Sequence, residues 1–256
     1  MTVTETESPL PIVPPGLAPG DHARPLGHRL LELGGIVVAV GAVIVLLGRC
    51  LGGIAAVFDD DNADRAVGHG VAFAAALACG SVVADFLSGV VHFTFDRFFS
   101  SDTPLIGRNF VLPFRQHHAD PQKMTRHGFI ETNGNNCLAT CPALIGLLAL
   151  PVDYTSRWQL FVVALLTSTA CGEFVTNQIH RWAHVDQPPA VVAWLQARRL
   201  VLPRRHHQVH HTWPYDSHYC ITTGWCNEPL RRLQFWKGLE WFYTRVLRLR
   251  LYTEST

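Results

Sequence analysis

Three long apolar stretches constrain the fold of this chain more than any other feature of its sequence. Each is interrupted by only a few ionisable side chains, such as Glu32, Asp85 and Glu173. A helix of about 20 apolar residues crosses a hydrocarbon core roughly 30 Å thick. The sequence therefore predicts three membrane-spanning helices, over residues 30–47, 66–95 and 158–179.

A fourth apolar stretch, residues 137–150, is short and contains Pro142. It is either a span that begins earlier in the chain or a tilted or re-entrant segment. The preceding ETNGNN, residues 131–136, has the chemistry of a turn that caps the next helix. The predicted fold class is all-α, a multi-pass membrane protein with about four transmembrane helices.

The domain organisation follows from the same pattern. Residues 1–29 are rich in Pro, Thr, Glu and Gly without apolar periodicity, which predicts a disordered cytoplasmic tail and not a signal peptide. Residues 30–242 form the predicted membrane-embedded domain, and 243–256 a C-terminal tail. The net charge of +1 and the lack of a continuous basic block argue against a nucleic-acid partner.

Charge predicts the orientation in the membrane. With four spans, the N-terminus, the 97–136 connection and the segment after His180 share one side. That side carries 18 Lys and Arg residues against three on the other, so it is predicted to be cytoplasmic. The ratio of 19 Arg to 2 Lys favours a GC-rich bacterium, hence an inner membrane over the endoplasmic reticulum.

Histidine is the compositional outlier, with 14 residues. His180 and His184 in HRWAH stand four apart, a spacing that places both imidazoles on one face of a helix. Arg181 occupies the position of the general-base glutamate in the H-E-x-x-H protease motif, so a zinc protease is disfavoured. In HHQVHH, residues 206–211, two i, i+4 pairs and one i, i+3 pair allow one short helix to serve two metals.

All the clustered histidines fall on the predicted cytoplasmic side. A single zinc ion takes three or four ligands, so this supply indicates two metals with mostly nitrogen ligands, for which iron and zinc are both suitable. Asp85, Asp96, Glu131, Glu173 and Asp216 are candidates to orient imidazoles, although Asp85 and Glu173 are equally explained as intramembrane polar contacts. The predicted metal ligands are His92, His117, His118, His127, His180, His184, His206, His207, His210 and His211.

Five segments together resemble a known family. They are ADFLSGVVHFTFD, PFRQHHADP, TRHGFIETNGNNC, TNQIHRWAH and LPRRHHQVHHTWPYDSHYCITTGWCNEPL, which lie between Ala84 and Leu239. They resemble the plasmanylethanolamine desaturase family, also called the Kua or CarF-like lipid desaturases. Compared with ordinary acyl desaturases, Phe114 stands where an H-x-x-H-H box has its first histidine.

The resemblance implies a membrane enzyme that uses O2 and two ferrous ions to convert the 1-O-alkyl chain of an ether phospholipid into the 1-Z-alkenyl chain of a plasmalogen. The residues implied to carry the chemistry are His180, His184, His207, His210 and His211, with His206 a ligand or a partner of one. The chain has no flavin, nicotinamide, haem or iron–sulfur motif. The implied electron donor is therefore a separate cytochrome b5 or ferredoxin.

Two alternatives stay open at the level of sequence. An acyl-lipid desaturase or hydroxylase would use the same site on another chain position. A non-enzymatic membrane metal-binding protein would show no oxygen uptake and would need polar residues through its spans, of which there are few. The desaturase hypothesis further predicts an apolar tunnel from the bilayer to the histidines.

Overall fold

The computed structural model describes residues 25–59 and 63–252. These residues contain no β-strand, and Phe98 and Leu251 form an isolated bridge. The predicted all-α class is therefore confirmed. The α-helices of the described ranges are α1 (Leu26–Asp59), α2 (Ala63–Arg97), α3 (Leu112–Ala119), α4 (Phe129–Ala149), α5 (Arg157–His184), α6 (Ala190–Ala197), α7 (Arg204–His210), α8 (Asn227–Arg232) and α9 (Phe235–Arg245).

The three long apolar stretches form the three longest helices. Among the described residues, α1, α2 and α5 are the helices long and apolar enough to cross a membrane. Each extends beyond its predicted span at both ends. The predicted tails 1–29 and 243–256 lie partly outside the described residues, and the helices reach into both, at Leu26 and up to Arg245.

The surface of α1 is that of a helix in lipid. Leu30, Val37, Ile44 and Leu51 recur every seven residues and are 55–65% exposed. A stripe of large apolar side chains along a helix face is costly in water and stable against hydrocarbon. The other side of the helix packs chiefly on α4, whereas α2 packs chiefly on α5.

Helix α4 begins at Phe129 and continues through Pro142 to Ala149. It therefore starts eight residues before the predicted segment, and ETNGNN lies within its first turns. The prediction of a capping turn there is wrong. Two side-chain amides donate across the α4–α5 interface instead: Asn133 Nδ2 donates to Gln178 Oε1 at 3.1 Å, and Asn136 Nδ2 donates to the Glu173 carbonyl at 3.0 Å. Such interhelical hydrogen bonds stabilise helix pairs in an apolar environment.

Alternation of the four long helices places the ends of α2 and α5 on the same face as the starts of α1 and α4. Helix α3 lies between the end of α2 and the start of α4 in the chain, and α6 to α9 follow the end of α5. Phe93 of α2 and Phe98, just after the helix, pack with Tyr219 and Trp236 into a separate aromatic core. This core joins the C-terminal segment to α2 and closes one side of the histidine cluster.

Candidate metal centre

Five imidazoles converge at the end of α5. His117, His180, His184, His207 and His211 offer ring nitrogens that all lie within 4.8 Å of one another. We call this set the all-imidazole group. His180 Nε2 lies 2.8 Å from His207 Nε2, and His211 Nε2 lies 3.0 Å from both His207 Nε2 and His117 Nε2. Four of the five side chains are buried, and His211 is half-buried.

A second set, the aspartate group, comprises His92, Asp96, His118 and His210, whose ligand atoms also lie within 4.8 Å of one another. Its centre is one carboxylate oxygen. Asp96 Oδ2 is 3.0 Å from His118 Nε2, 3.3 Å from His92 Nε2 and 3.4 Å from His210 Nε2. His92 and His210 are fully buried.

Helical geometry distributes adjacent histidines between the two groups. On α3, consecutive residues point about 100° apart, so His117 joins the all-imidazole group and His118 the aspartate group. At the end of α7, His211 and His210 divide in the same way. The HHQVHH helix therefore serves both groups, with His207 and His211 sharing one of them.

The Nδ1 atoms of the two groups have different partners. In the aspartate group, His92 Nδ1 donates to the Tyr219 carbonyl at 3.0 Å and His210 Nδ1 donates to the Ser217 carbonyl at 2.8 Å. In the all-imidazole group, Nδ1 of His117 and of His207 is buried with no hydrogen-bond partner. A carbonyl can only accept, so the first two rings carry their proton on Nδ1 and leave the Nε2 lone pair free.

Electrostatics keeps the all-imidazole group neutral. Burial, reinforced by the neighbouring imidazoles, holds the pKa of His117 and of His207 well below the ordinary value and lowers the pKa of His211 to about 2. In the aspartate group, burial opposes protonation of His118, but the Asp96 carboxylate raises its pKa. Neutral imidazole is the form that binds a metal ion.

The donor set fits two metal ions. Nitrogen donors bind a transition metal at about 2.1 Å, so imidazoles sharing one ion must bring their nitrogens close together, as they are here. Five ring nitrogens of the two groups are buried without a hydrogen-bond partner: His92 Nε2, His117 Nδ1, His118 Nδ1, His184 Nε2 and His207 Nδ1. Uncompensated burial of polar atoms is costly, and bound metal ions would remove that cost for the nitrogens that face them.

Two of the ten predicted ligands lie outside both groups. His127 Nε2 is 3.8 Å from Glu131 Oε1, before α4 begins. His206 Nε2 accepts from Asn227 Nδ2 at 3.1 Å, and its ring lies 4.9 Å from that of His218. Their roles as ligands stay predictions from the sequence.

The five predicted acidic residues have separate surroundings. Asp96 lies among the ligand atoms, a position that its i, i+4 spacing from His92 would have suggested. The Asp85 carboxylate accepts the backbone N–H groups of residues 222–224 and 226. Glu131 neighbours His127, Glu173 Oε1 is buried without a hydrogen-bond partner, and Asp216 is exposed.

Phe114 stands where an ordinary acyl desaturase has a histidine, and its side chain makes an aromatic contact. The Phe114 ring lies 5.0 Å from the ring of His92. An apolar cavity of about 420 Å³ lies between the start of α4, α5 and Val201, and no histidine lines it. The predicted tunnel to the histidines stays a prediction.

Comparisons with known proteins point to lipid desaturases, in agreement with the histidine-rich site. The lipid desaturase domain matches residues 81–250. The chain is 44% identical over 165 residues to plasmanylethanolamine desaturase of Myxococcus xanthus, covering 64% of this chain and 58% of the relative. It is 45% identical over 175 residues to plasmanylethanolamine desaturase 1 of Mus musculus, covering 64% and 62%. Fatty acid desaturase 4, chloroplastic, of Arabidopsis thaliana is 34% identical over 164 residues, covering 63% and 48%.

No solved structure matches this chain. The chain spans about three fifths of the length of the two plasmanylethanolamine desaturases. The matched domain runs from the middle of α2 through α9 and includes every member of both ligand groups. By that match, which covers more than half of its 256 residues, the chain belongs to the lipid desaturase family.

Proposed function

We propose that this protein is a plasmanylethanolamine desaturase, which oxidises the 1-O-alkyl chain of a membrane ether phospholipid to the 1-Z-alkenyl ether of a plasmalogen. The observation that carries the proposal is the pair of ligand groups, built from nine side chains within the matched domain. Identities of 44% and 45% to plasmanylethanolamine desaturases, against 34% to the plant fatty acid desaturase, support the ether substrate over an acyl chain.

The proposed ligands are the nine members of the two groups, and the proposed metals are two ferrous ions. When bound, these ions supply the activation of O2. The buried positions of His92, His207 and His210 keep bulk water away from the ligand atoms. Excluding water from a site that handles oxygen limits side reactions.

The reaction balances with one external donor. Two C–H bonds break, one at C1 and one at C2 of the alkyl chain, and a C=C bond forms between these carbons. Two electrons from the chain and two from a donor reduce O2 to two molecules of water, with two protons taken up from solution. We assign the donor to the cytochrome b5 or ferredoxin class. The distribution of Lys and Arg between the two sides supports a cytoplasmic site, and the ratio of 19 Arg to 2 Lys supports a bacterial inner membrane.

Lipid mass spectrometry tests the reaction. The parent chain and a His210→Ala, His211→Ala variant are expressed in a host that contains ether lipids and lacks its own desaturase. We expect acid-labile vinyl-ether lipids with the parent and none with the variant, because the variant removes one donor from each group.

A matched control is His69→Gln, which changes another buried histidine of α2. His69 contacts the carbonyls of Arg65 and Thr155 and lies 23 residues before His92 in the helix, roughly 35 Å away. This variant should retain the vinyl-ether product. A parent that is folded, metal-loaded and reduced but forms no vinyl ether would refute the ether substrate. Desaturated or hydroxylated acyl lipids would then indicate the acyl alternative, and metal without oxygen uptake the non-enzymatic one.

A further inference from the structure

Asp85 is a buried carboxylate in α2 that no step of the proposed reaction uses. Both of its oxygens accept backbone hydrogen bonds from one loop. Oδ1 accepts from the N–H groups of Thr222, Thr223 and Gly224 at 3.2, 2.8 and 2.8 Å, and Oδ2 accepts from Cys226 N–H at 2.9 Å. A carboxylate that binds four N–H groups of one segment holds that segment strongly, because each bond is charge-assisted.

One turn further along the same face of α2, Ser88 binds the start of this loop. Ser88 Oγ accepts from Ile221 N–H at 3.1 Å and lies 3.2 Å from the Thr222 hydroxyl. The loop passes so close to Gly89 that a Cβ there would lie 2.5 Å from Cys220 Sγ. Gly224 adopts a φ of +75°, which a residue with a side chain rarely adopts. The backbone of this loop is therefore pinned to α2 at successive residues.

Two carbonyls just before the pinned segment orient the aspartate group. Tyr219 O accepts from His92 Nδ1 and Ser217 O accepts from His210 Nδ1. Asp85, Ser88 and His92 follow one another at i, i+3 and i+7 on one face of α2, so a single helix presents both the anchor and a ligand. Carbonyls that accept from the distal nitrogen of a ligating histidine set its tautomer and ring orientation.

We propose that Asp85 is a positioning residue for the aspartate group alone: by binding the N–H groups of residues 222–224 and 226, it holds in place the preceding carbonyls of Ser217 and Tyr219, which keep Nε2 of His92 and His210 directed at Asp96. The loop also contacts the segment before α7, where Leu202 N–H donates to the Thr222 carbonyl at 2.8 Å. It gives no hydrogen bond to Nδ1 of His117 or of His207 in the all-imidazole group, since neither atom has a partner among the described residues. The inference rests on the proposed two-metal centre.

The test measures iron per purified chain and the 57Fe Mössbauer spectrum of the intact protein, without substrate. We expect two irons in the parent. Asp85→Ala should weaken iron binding at one site by about 10–100-fold and leave close to one iron per chain, with one spectral component lost. Asp85→Asn retains an acceptor oxygen and should show a smaller loss of the same component.

The matched control is Glu173→Gln, a half-buried carboxyl of α5 whose Oε1 is buried without a hydrogen-bond partner, and it should keep both irons. Asp85→Ala with both irons bound, or with both lost from a folded protein, would overturn the proposal. If Asp85→Ala does not fold, Ser88→Ala is measured in the same way: selective loss of the same component supports the proposal, and an unchanged spectrum in both Ser88→Ala and Asp85→Asn refutes it. A parent with two irons but no vinyl-ether product would refute the proposed substrate and leave the role of Asp85 standing.

Discussion

The two ligand groups are neighbours, with the rings of His92 and His180 only 5.7 Å apart, yet they are built differently. The all-imidazole group has five neutral donors and no carboxylate. The aspartate group has three imidazoles around one carboxylate oxygen, and two of these rings are oriented by loop carbonyls. The first group takes its donors from α3, α5 and the end of α7, whereas two rings of the second are also held by hydrogen bonds to loop carbonyls.

Adjacent sites in one metal centre can therefore depend on separate parts of the chain. A carboxylate lowers the net charge of a divalent ion, whereas neutral imidazoles leave that charge uncompensated. The two proposed irons therefore have unlike environments. Substitutions that affect one group without the other will measure how independent the groups are.

The largest effects should follow removal of a ligand. His207→Ala deletes a donor of the all-imidazole group, and His118→Ala deletes a donor of the aspartate group. Each should lower vinyl-ether formation by more than about 100-fold, because losing a ligand exceeds the effect of losing an outer contact. Iron analysis should find about one iron per chain in each variant, with different Mössbauer components remaining. If either variant lost both irons while folded, the two groups would form one inseparable site.

Asp96→Asn should have the next largest effect. The amide keeps the size of the side chain but removes the negative charge on which His92, His118 and His210 converge. We expect iron affinity in the aspartate group to fall by about 10–100-fold, with the all-imidazole group still loaded. Asp120→Asn is the surface control, since Asp120 is 51% exposed and pairs with Arg126. Exposed ion pairs contribute about 0–1 kcal/mol, so iron binding should not change there.

Gly80→Val should weaken both groups together and by less. A Cβ at Gly80 would lie 2.6 Å from Leu165 O and from Ser168 Cβ, so a larger side chain forces α2 away from α5. Overpacking of this kind costs about 1–3 kcal/mol and should lower the Tm by a few degrees. Gly70→Val, where a Cβ meets nothing within 4 Å, is the control in the same helix. Selective loss of one iron in Gly80→Val would show that the α2–α5 contact supports only one group.

The smallest effects should come from the two predicted ligands that lie outside both groups. His127→Ala loses the neighbour of Glu131, and His206→Ala loses a hydrogen bond with Asn227 worth about 1 kcal/mol. Both variants should keep two irons, and product formation should change by less than about threefold. Loss of an iron from either variant would restore that histidine to the ligand set and extend one of the groups.

Much of the site could be predicted from periodicity within single helices. The spacing of His180 and His184, and of His207 and His211, follows from 3.6 residues per turn, so each pair shares a face wherever its helix lies. The spans were predictable because long apolar stretches have one stable environment. The length of α4 could not be predicted, because ETNGNN is typical of turns. Inside the helix, the amides of this segment donate hydrogen bonds to α5.

The apolar stretches and the histidine spacing are enough to predict long membrane helices and a cluster of histidines. The tertiary structure adds which histidines of different helices share a group, because that depends on which helices pack together. It also decided the parts of Asp96 and Asp85, two similar carboxylates 11 residues apart on α2. Asp96 meets three imidazole nitrogens, whereas Asp85 meets backbone N–H groups of a loop more than 130 residues later in the chain. Packing between distant parts of the chain sets the partners of a buried polar group.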